Sequence, residues 1–124
     1  MERLIVDAVH LDQLREHGGL PGTRDENALE SALARPRNKW AYESTQDLAE
    51  LAAAYGYGLV SNHPYRDGNK RIAFLTMVIF LGLNGSDLDA PETDVVTMML
   101  AAAEKRCSEA ELAAWVRSHV VALP

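Results

Sequence analysis

Residues 63–71 read His63-Pro64-Tyr65-Arg66-Asp67-Gly68-Asn69-Lys70-Arg71, and the apolar stretch IAFLTMVIFL follows at once over 72–81. A stretch that is apolar on nearly every side predicts a buried helix, so the nine-residue run is a loop that leads into a helix N-terminus. The first backbone N–H groups of a helix have no intrahelical acceptor, and the helix dipole gives this end a partial positive charge. Such an end favours an anion, most naturally a phosphate. The sequence therefore predicts phosphate-centred chemistry at this loop.

The length and composition of the chain predict a single domain over 1–124. With 124 residues, of which 48% are hydrophobic and 24% charged, the chain is long enough to bury a core. No apolar run approaches the roughly 20 residues that cross a bilayer, and the N-terminal segment lacks the features of a signal peptide. The single cysteine, Cys107, permits no internal disulfide, which suits a reducing compartment. We expect a cytoplasmic protein with no membrane contact.

The charge of the chain argues against direct nucleic-acid binding. The formal net charge is −6 at pH 7, whereas general nucleic-acid binding needs a basic surface. A nucleotide remains possible as a ligand because its site needs only local cations. Arg66, Lys70 and Arg71 outnumber the single Asp67 in the loop. The candidate site is therefore locally basic on an acidic protein.

The first third of the chain predicts two helices and an irregular segment. A short amphipathic helix ends at Gly18, since a glycine pair suits a left-handed C-terminal cap. Thr23 or Asp25 caps the next helix, which we expect to stop before Pro36. Residues 37–46 lack a clear periodicity and predict an irregular segment or a small β-hairpin.

The rest of the chain predicts further helices. Apolar residues at helical spacing indicate a helix from about 46 to 61, and the apolar helix over 72–81 follows the loop. Another helix is expected around 93–105, and a capping box at Ser108 begins a last one. Because the helix over 72–81 is apolar nearly all round, other helices should surround it. The predicted fold is all-α, a helical bundle around one buried central helix.

Two residues of the loop have side chains suited to acid–base and metal chemistry. His63 can accept a proton from a hydroxyl nucleophile near neutral pH, although an isolated loop histidine more often serves only structure. Asp67 can cap the following helix or present oxygen to Mg²⁺, which takes one or two carboxylates together with substrate phosphates.

The next four residues suit an anion. Gly68 and Asn69 tolerate the backbone shapes that aim successive N–H groups at one point. Lys70 and Arg71 can neutralise phosphate charge, the arginine in a bidentate manner. Each cation alone is more often a solvated surface residue. The occurrence of all these residue types in one run at a helix start favours a functional site.

Other site chemistries find no support in the sequence. The four histidines show neither H-x-x-x-H nor Cys/His spacing, so a zinc site is not predicted. Cys107 has no local base that would activate it as a nucleophile. Neither a G-x-x-x-x-G-K-[ST] loop nor the protein-kinase signature set is present.

The motif resembles that of the Fic/Doc (Fido) superfamily, which reads H-P-F-x-[D/E]-G-N-G-R in its Fic branch. The Doc branch, the death-on-curing toxins of bacterial toxin–antitoxin pairs, has Asn-Lys-Arg at the end, as here in Asn69-Lys70-Arg71. The resemblance extends over about residues 10–120. It includes Gly18-Gly19-Leu20-Pro21-Gly22, Leu29-Glu30-Ser31-Ala32-Leu33, Ala41-Tyr42-Glu43, Asp47-Leu48, Phe80-Leu81 and Asn84-Gly85. It implies a single Fic/Doc domain with the Fido fold.

The resemblance also implies roles for the loop residues. His63 would activate a target hydroxyl as general base, and Asp67 would hold Mg²⁺ on the phosphates of ATP. The nucleotide-binding residues would be Gly68, Asn69, Lys70 and Arg71. The N–H groups around Gly68, Asn69 and Lys70 would form the anion hole, and Lys70 and Arg71 would bind phosphate. Residues 37–46 match the flap that aligns a target peptide in this family.

Two positions depart from the Fic pattern. Tyr65 replaces the usual phenylalanine and adds a hydroxyl that needs a partner. Lys70 replaces a glycine, as in Doc-type proteins, which transfer the γ-phosphate of ATP to a protein hydroxyl. Gly68, however, is Fic-like, and Fic proteins transfer AMP.

The resemblance therefore implies a Doc-like kinase toxin that acts on a Ser or Thr of an elongation factor Tu-like target and arrests translation. The alternatives are protein adenylyl transfer and a catalytically inactive binding module. The inhibitory motif [S/T]-x-x-x-E-[G/N] of many Fic proteins is absent from the sequence. We accordingly expect a separate Phd-type antitoxin as the second protein partner.

Overall fold

A computed structural model of the protein describes residues 1–124 and contains six α-helices and two short β-strands. The helices are α1 (Arg3–His17), α2 (Glu26–Tyr42), α3 (Leu48–Asn62), α4 (Asn69–Leu83), α5 (Glu92–Ala103) and α6 (Glu109–His119). The strands are β1 (Ser86–Leu88) and β2 (Val120–Ala122). The fold is mostly helical, as predicted. No helix in the structure combines the length and the apolar surface needed to span a membrane.

The central helix of the bundle is α3, whereas the sequence pattern favoured α4. Ten of the 15 residues of α3 are buried, against five of 15 in α4. Most of the buried residues of α3 are alanine or glycine, so α2, α4 and α6 can approach it closely from several sides. Although most residues of α4 are apolar, many of them are only partly buried, and Leu83 near its end is 69% exposed.

Helix α2 continues past Pro36, so the predicted stop there is wrong. Proline removes one backbone donor from the helix, but Pro36 is buried and packs in the interior. Lys39, one turn further on, lies 3.5 Å from Glu109 of α6 and 3.6 Å from Glu50 of α3. These tertiary contacts hold the last turns of α2 in place.

The β-hairpin considered for 37–46 does not form. Residues 37–42 are helical, and the chain then turns with Ser44 in a left-handed conformation at φ 55°. The N–H of Thr45 donates to the carbonyl of Lys39 at 3.2 Å and closes this turn.

The two-stranded antiparallel sheet lies elsewhere in the chain. It pairs the segment after α4 with the segment after α6, and Ser86 faces Ala122 in its register. Each strand has only three residues, which is too short for the alternation that reveals a strand in sequence.

The helix ends follow the capping signals in the sequence. Helix α1 begins at Arg3 and ends as predicted at Gly18, at φ 76°. At the start of α6 the hydroxyl of Ser108 accepts from the N–H of Glu111 at 3.1 Å, and the Glu111 carboxylate accepts in return from the N–H of Ser108 at 3.0 Å. The capping box is therefore confirmed.

We expect Gly56→Ala to destabilise the fold by about 1–3 kcal/mol, because the packing is already full at that point. A Cβ on Gly56 would lie 2.5 Å from the Sδ of Met77, which is fully buried in α4, so the thioether could move only by displacing other core side chains. Gly82→Ala is the matched control, since a Cβ there meets nothing within 4 Å. The control should be neutral or gain up to about 1 kcal/mol from helix propensity. Urea unfolding of both variants measures the difference, and equal stabilities would contradict it.

Candidate functional site

The loop between α3 and α4 is closed by the side chain of Asn69. Its Oδ1 accepts from the N–H of Tyr65 at 3.0 Å, and its Nδ2 donates to the carbonyl of Tyr65 at 2.9 Å. The side-chain amide thus makes the two hydrogen bonds with Tyr65 that the backbone of a neighbouring strand would make. Sequence reasoning assigned Asn69 to anion binding through its N–H and missed this bracing by the side chain.

The N-terminus of α4 has free backbone donors. Gly68 is the N-cap residue in a left-handed conformation at φ 75°, which glycine adopts without strain. The N–H groups of Asn69, Lys70 and Arg71 have no acceptor in the protein. The N–H of Gly68 is already bonded to Oδ1 of Asp67 at 2.9 Å. The geometry therefore provides three free donors beside two cationic side chains.

Asp67 lies just before this helix end, on the exposed surface. Its Oδ2 accepts from the N–H of Leu20 at 3.3 Å, and a Cβ on Gly19 would come within 2.9 Å of the same oxygen. Gly19, at φ 127°, thus allows the close approach. The capping role considered for Asp67 is wrong, because Gly68 is the N-cap and no side chain caps α4.

The donor set fits a magnesium ion that is held mainly by a nucleotide. No group of three or more His, Cys, Asp or Glu side chains could enclose a metal ion. Mg²⁺ needs only one or two protein carboxylates when phosphates and water complete its shell. The exposed carboxylate of Asp67, next to the free donors of α4, provides one such ligand.

A cleft of about 360 Å³ opens beside the helix end, between α4 and α5. Its polar end is formed by Asp67, Gly68, Asn69, Lys70 and Arg71. Its apolar wall is formed by Phe74, Val95, Val96, Met99 and Leu100. A cleft with free N–H donors and cations at one end and an apolar wall suits a ligand that joins a phosphate to an apolar or planar group. Five of the six predicted site residues line it.

The sixth predicted residue, His63, lies outside this cleft. It caps the C-terminus of α3 with φ 45° and ψ 55°, a left-handed conformation, and its side chain is exposed. The histidine therefore lies at the α3 end of the loop, and the free N–H donors lie at its α4 end.

Tyr65 anchors the loop in the core through contacts with α1. Its ring stacks on buried His10 with centroids 3.8 Å apart, and its hydroxyl donates to Oδ1 of Asp7 at 2.6 Å. Burial, and then the Asp7 carboxylate, raise the pKa of Tyr65. Nε2 of His10 also donates to the carbonyl of Asp67 at 2.8 Å. The partner that the added hydroxyl requires is thus Asp7.

The segment 20–25, between α1 and α2, runs antiparallel to the loop and braces it. Thr23 and Tyr65 form an isolated β-bridge. The N–H of Arg66 donates to the carbonyl of Gly22 at 3.1 Å, and the N–H of Arg24 donates to the carbonyl of Pro64 at 2.7 Å. Sequence reasoning missed this pairing, because the two short segments are about 40 residues apart and neither alternates.

Comparison with known proteins agrees with this geometry. The Fic/DOC family model matches residues 2–81, a range that includes the loop between α3 and α4 and the free N–H donors at the start of α4. The chain belongs to the Fic/DOC family. It is 35% identical over 98 residues to "Protein kinase doc" of Escherichia phage P1, covering 78% of each chain. It is 38% identical over 74 residues to "Toxin Doc" of Mycolicibacterium smegmatis, covering 59% of this chain and 57% of that protein.

Replacing Tyr65 by Phe should lower the free energy of unfolding by about 1 kcal/mol, since the buried hydroxyl donates to a partly exposed carboxylate. The folded state raises the pKa of Tyr65. The stability that the Tyr65 hydroxyl contributes is therefore fully present below pH about 10, and it falls as the pH rises further, because the tyrosine of the unfolded chain then ionises. Thermal unfolding between pH 7 and 11 measures this. Tyr42→Phe, at a residue 84% exposed, is the control and should show no change. A gap between wild type and Tyr65→Phe that widens above pH 10 would contradict the assignment.

Proposed function

We propose that this chain is a Doc-like toxin that transfers the γ-phosphate of ATP to a serine or threonine hydroxyl of a protein. The observation that carries the proposal is the set of free N–H groups of Asn69, Lys70 and Arg71 at the polar end of the cleft. Free donors at a helix N-terminus bind phosphate without any side-chain rearrangement. The relative named "Protein kinase doc", 35% identical to this chain, supports the same reaction class.

The residues of the cleft divide the work of holding the nucleotide. The three N–H groups donate to phosphate oxygens, Lys70 adds a point charge, and Arg71 offers a bidentate fork. The carboxylate of Asp67 would hold Mg²⁺, and the ion would supply positive charge to the phosphates. Phe74 and Val96 on the apolar wall cover the less polar part of the nucleotide.

His63 acts on the acceptor side of the reaction. Its neutral imidazole accepts the proton of the target hydroxyl while the hydroxyl oxygen bonds to the γ-phosphorus. The bond from that phosphorus to the bridging oxygen breaks, and ADP leaves with the electron pair. The exposed position of His63 outside the cleft suits this role, since a protein hydroxyl must reach it from solvent.

Lys70 favours transfer of the terminal phosphate over transfer of AMP. Fic-type proteins have glycine at this position, which lets a phosphate approach the backbone closely. Here an exposed lysine stands at the helix end and adds charge beside the free donors. The target proposed from the Doc resemblance is a component of the translation machinery, elongation factor Tu or a similar protein, in the cytoplasm.

ATP labelled at the γ or the α position separates the possible reactions. We expect label from the γ position alone to appear on protein when the chain is incubated with bacterial lysate and Mg²⁺. His63→Ala should lower the transfer rate by about 10²–10⁴-fold, because the hydroxyl loses its base. His17→Ala removes a half-exposed histidine at the end of α1 and is the matched control.

Label that arrives only from the α position would replace the proposal by adenylyl transfer. Label from neither position, with no binding of MgATP, would leave an inactive binding module. Full activity in His63→Ala would remove this residue from the mechanism.

A separate Phd-type antitoxin restrains the toxin in this proposal. The sequence has no internal inhibitory motif, and α1 exposes Leu4 by 77% and Leu11 by 45%, an apolar surface of the kind a folding peptide covers. The name "Toxin Doc" of a relative supports a toxin–antitoxin pair.

Expression in bacteria tests the toxin itself. The wild-type chain should arrest growth, His63→Ala should not, and co-expression of the protein encoded by the neighbouring reading frame should restore growth. Accumulation of both chains measured on the same blot controls for expression level. Harmless expression of folded wild-type protein at high yield would contradict the proposal.

A further inference from the structure

Arg24 binds three consecutive carbonyl groups at the end of α3. Its Nη2 donates to the carbonyl of Asn62 at 2.8 Å, and its Nε donates to the carbonyl of His63 at 2.7 Å. Its backbone N–H donates to the carbonyl of Pro64 at 2.7 Å. One residue of the bracing segment thus satisfies the carbonyls of Asn62 and His63, which the end of the helix leaves without intrahelical donors, and that of Pro64 in the following loop.

The two side-chain bonds hold the two peptide planes that flank the Cα of His63. The carbonyl of Asn62 belongs to the plane whose rotation sets φ of His63, and its own carbonyl belongs to the plane that sets ψ. Both planes are held by one rigid, planar guanidinium. The direction of the Cα–Cβ bond follows from these two dihedral angles, so Arg24 fixes the direction in which the side chain leaves the backbone, and the imidazole is then oriented by rotation about χ1 and χ2 alone.

This fixation matters because the conformation of His63 is unfavourable. A residue with a Cβ at φ 45° and ψ 55° lies in the left-handed region, which L-residues other than glycine rarely occupy. Without external bonds the peptide planes could rotate toward more favourable angles and carry the side chain with them. The positive charge of Arg24 also lies at the negative end of the α3 dipole.

We propose that Arg24 is a positioning residue that acts through His63. This inference rests on the proposed function, in which His63 is the general base. Arg24 does not line the nucleotide cleft, so its contribution lies in the transfer step rather than in binding of MgATP. Its side chain is exposed, and its removal takes no residue from the core.

The kinetic test separates transfer from binding. At saturating MgATP, Arg24→Ala should lower the rate of γ-label transfer to lysate protein by about 10- to 100-fold, the loss typical of a misplaced reacting group. The Kd for MgATP, from calorimetry, should stay within about twofold of wild type, because a positioning residue outside the cleft does not touch the ligand. Arg24→Lys should give an intermediate rate, since one ammonium reaches fewer carbonyls than a guanidinium fork.

Arg106→Ala is the matched control. Arg106 is an arginine 59% exposed on the turn between α5 and α6 and pairs only with Glu104, so its removal should change neither rate nor Kd. Unchanged transfer in Arg24→Ala would overturn the inference. Parallel losses of transfer and MgATP binding would also overturn it, because they indicate general damage to the loop.

An NMR measurement, which needs no transfer reaction, tests the role of Arg24 independently of the proposed function. In NMR spectra of the wild-type chain, the ring signals of His63 should show one ordered conformation, and Arg24→Ala should shift and average them. The signals of His10, which is bonded to Asp67 in the same loop, should stay unchanged and serve as an internal reference. Unchanged His63 signals in Arg24→Ala would overturn the inference. If the wild-type chain transfers neither label, the proposed function is wrong. The NMR result still decides whether Arg24 fixes the conformation of His63.

Discussion

The pairing of the Asn69 amide with the backbone of Tyr65 is the constraint on which the site depends. Helices α3 and α4 are packed together, and the loop that joins them must reverse direction within six residues. A loop this short offers few backbone partners of its own, so the side chain of the first residue of α4 supplies them. With this pairing in place, the donors at the start of α4 are aimed outward and remain free for a ligand.

Support for the loop comes from the chain that precedes α2. His10 and Asp7 hold Tyr65 from inside, and the segment 20–25 holds Pro64, Arg66 and Asp67 from outside. Buried polar groups are costly unless they are hydrogen-bonded, and here His10 and the hydroxyl of Tyr65 both find partners. The loop that holds His63 in its left-handed conformation is thus supported by α1 and by the segment 20–25, and Arg24 of that segment bonds the carbonyl of His63 itself.

The sequence predicts the local structure of the loop and of the start of α4 better than it predicts the packing of the surrounding helices. The loop and the start of α4 are local features, and their glycine, cations and apolar continuation can be read directly. The extent of helix α2 cannot be predicted locally. The burial of Pro36 and the contacts of Lys39 with two other helices stabilise the helix more than the proline destabilises it. The wall that α5 adds to the cleft, and the bracing by Arg24, depend on long-range packing that no spacing reveals. The central place of α3 follows from its small residues, whereas hydrophobicity pointed to α4.

The free donors of α4 belong to the main chain, and this determines which mutations can remove them. A point mutation can delete an imidazole or a cation, but most substitutions leave backbone N–H groups in place. In the proposed function, loss of catalysis and loss of phosphate binding are therefore separable. A variant of this chain that loses His63 keeps the three free N–H groups of Asn69, Lys70 and Arg71 and, on that proposal, still binds a phosphate without transferring it.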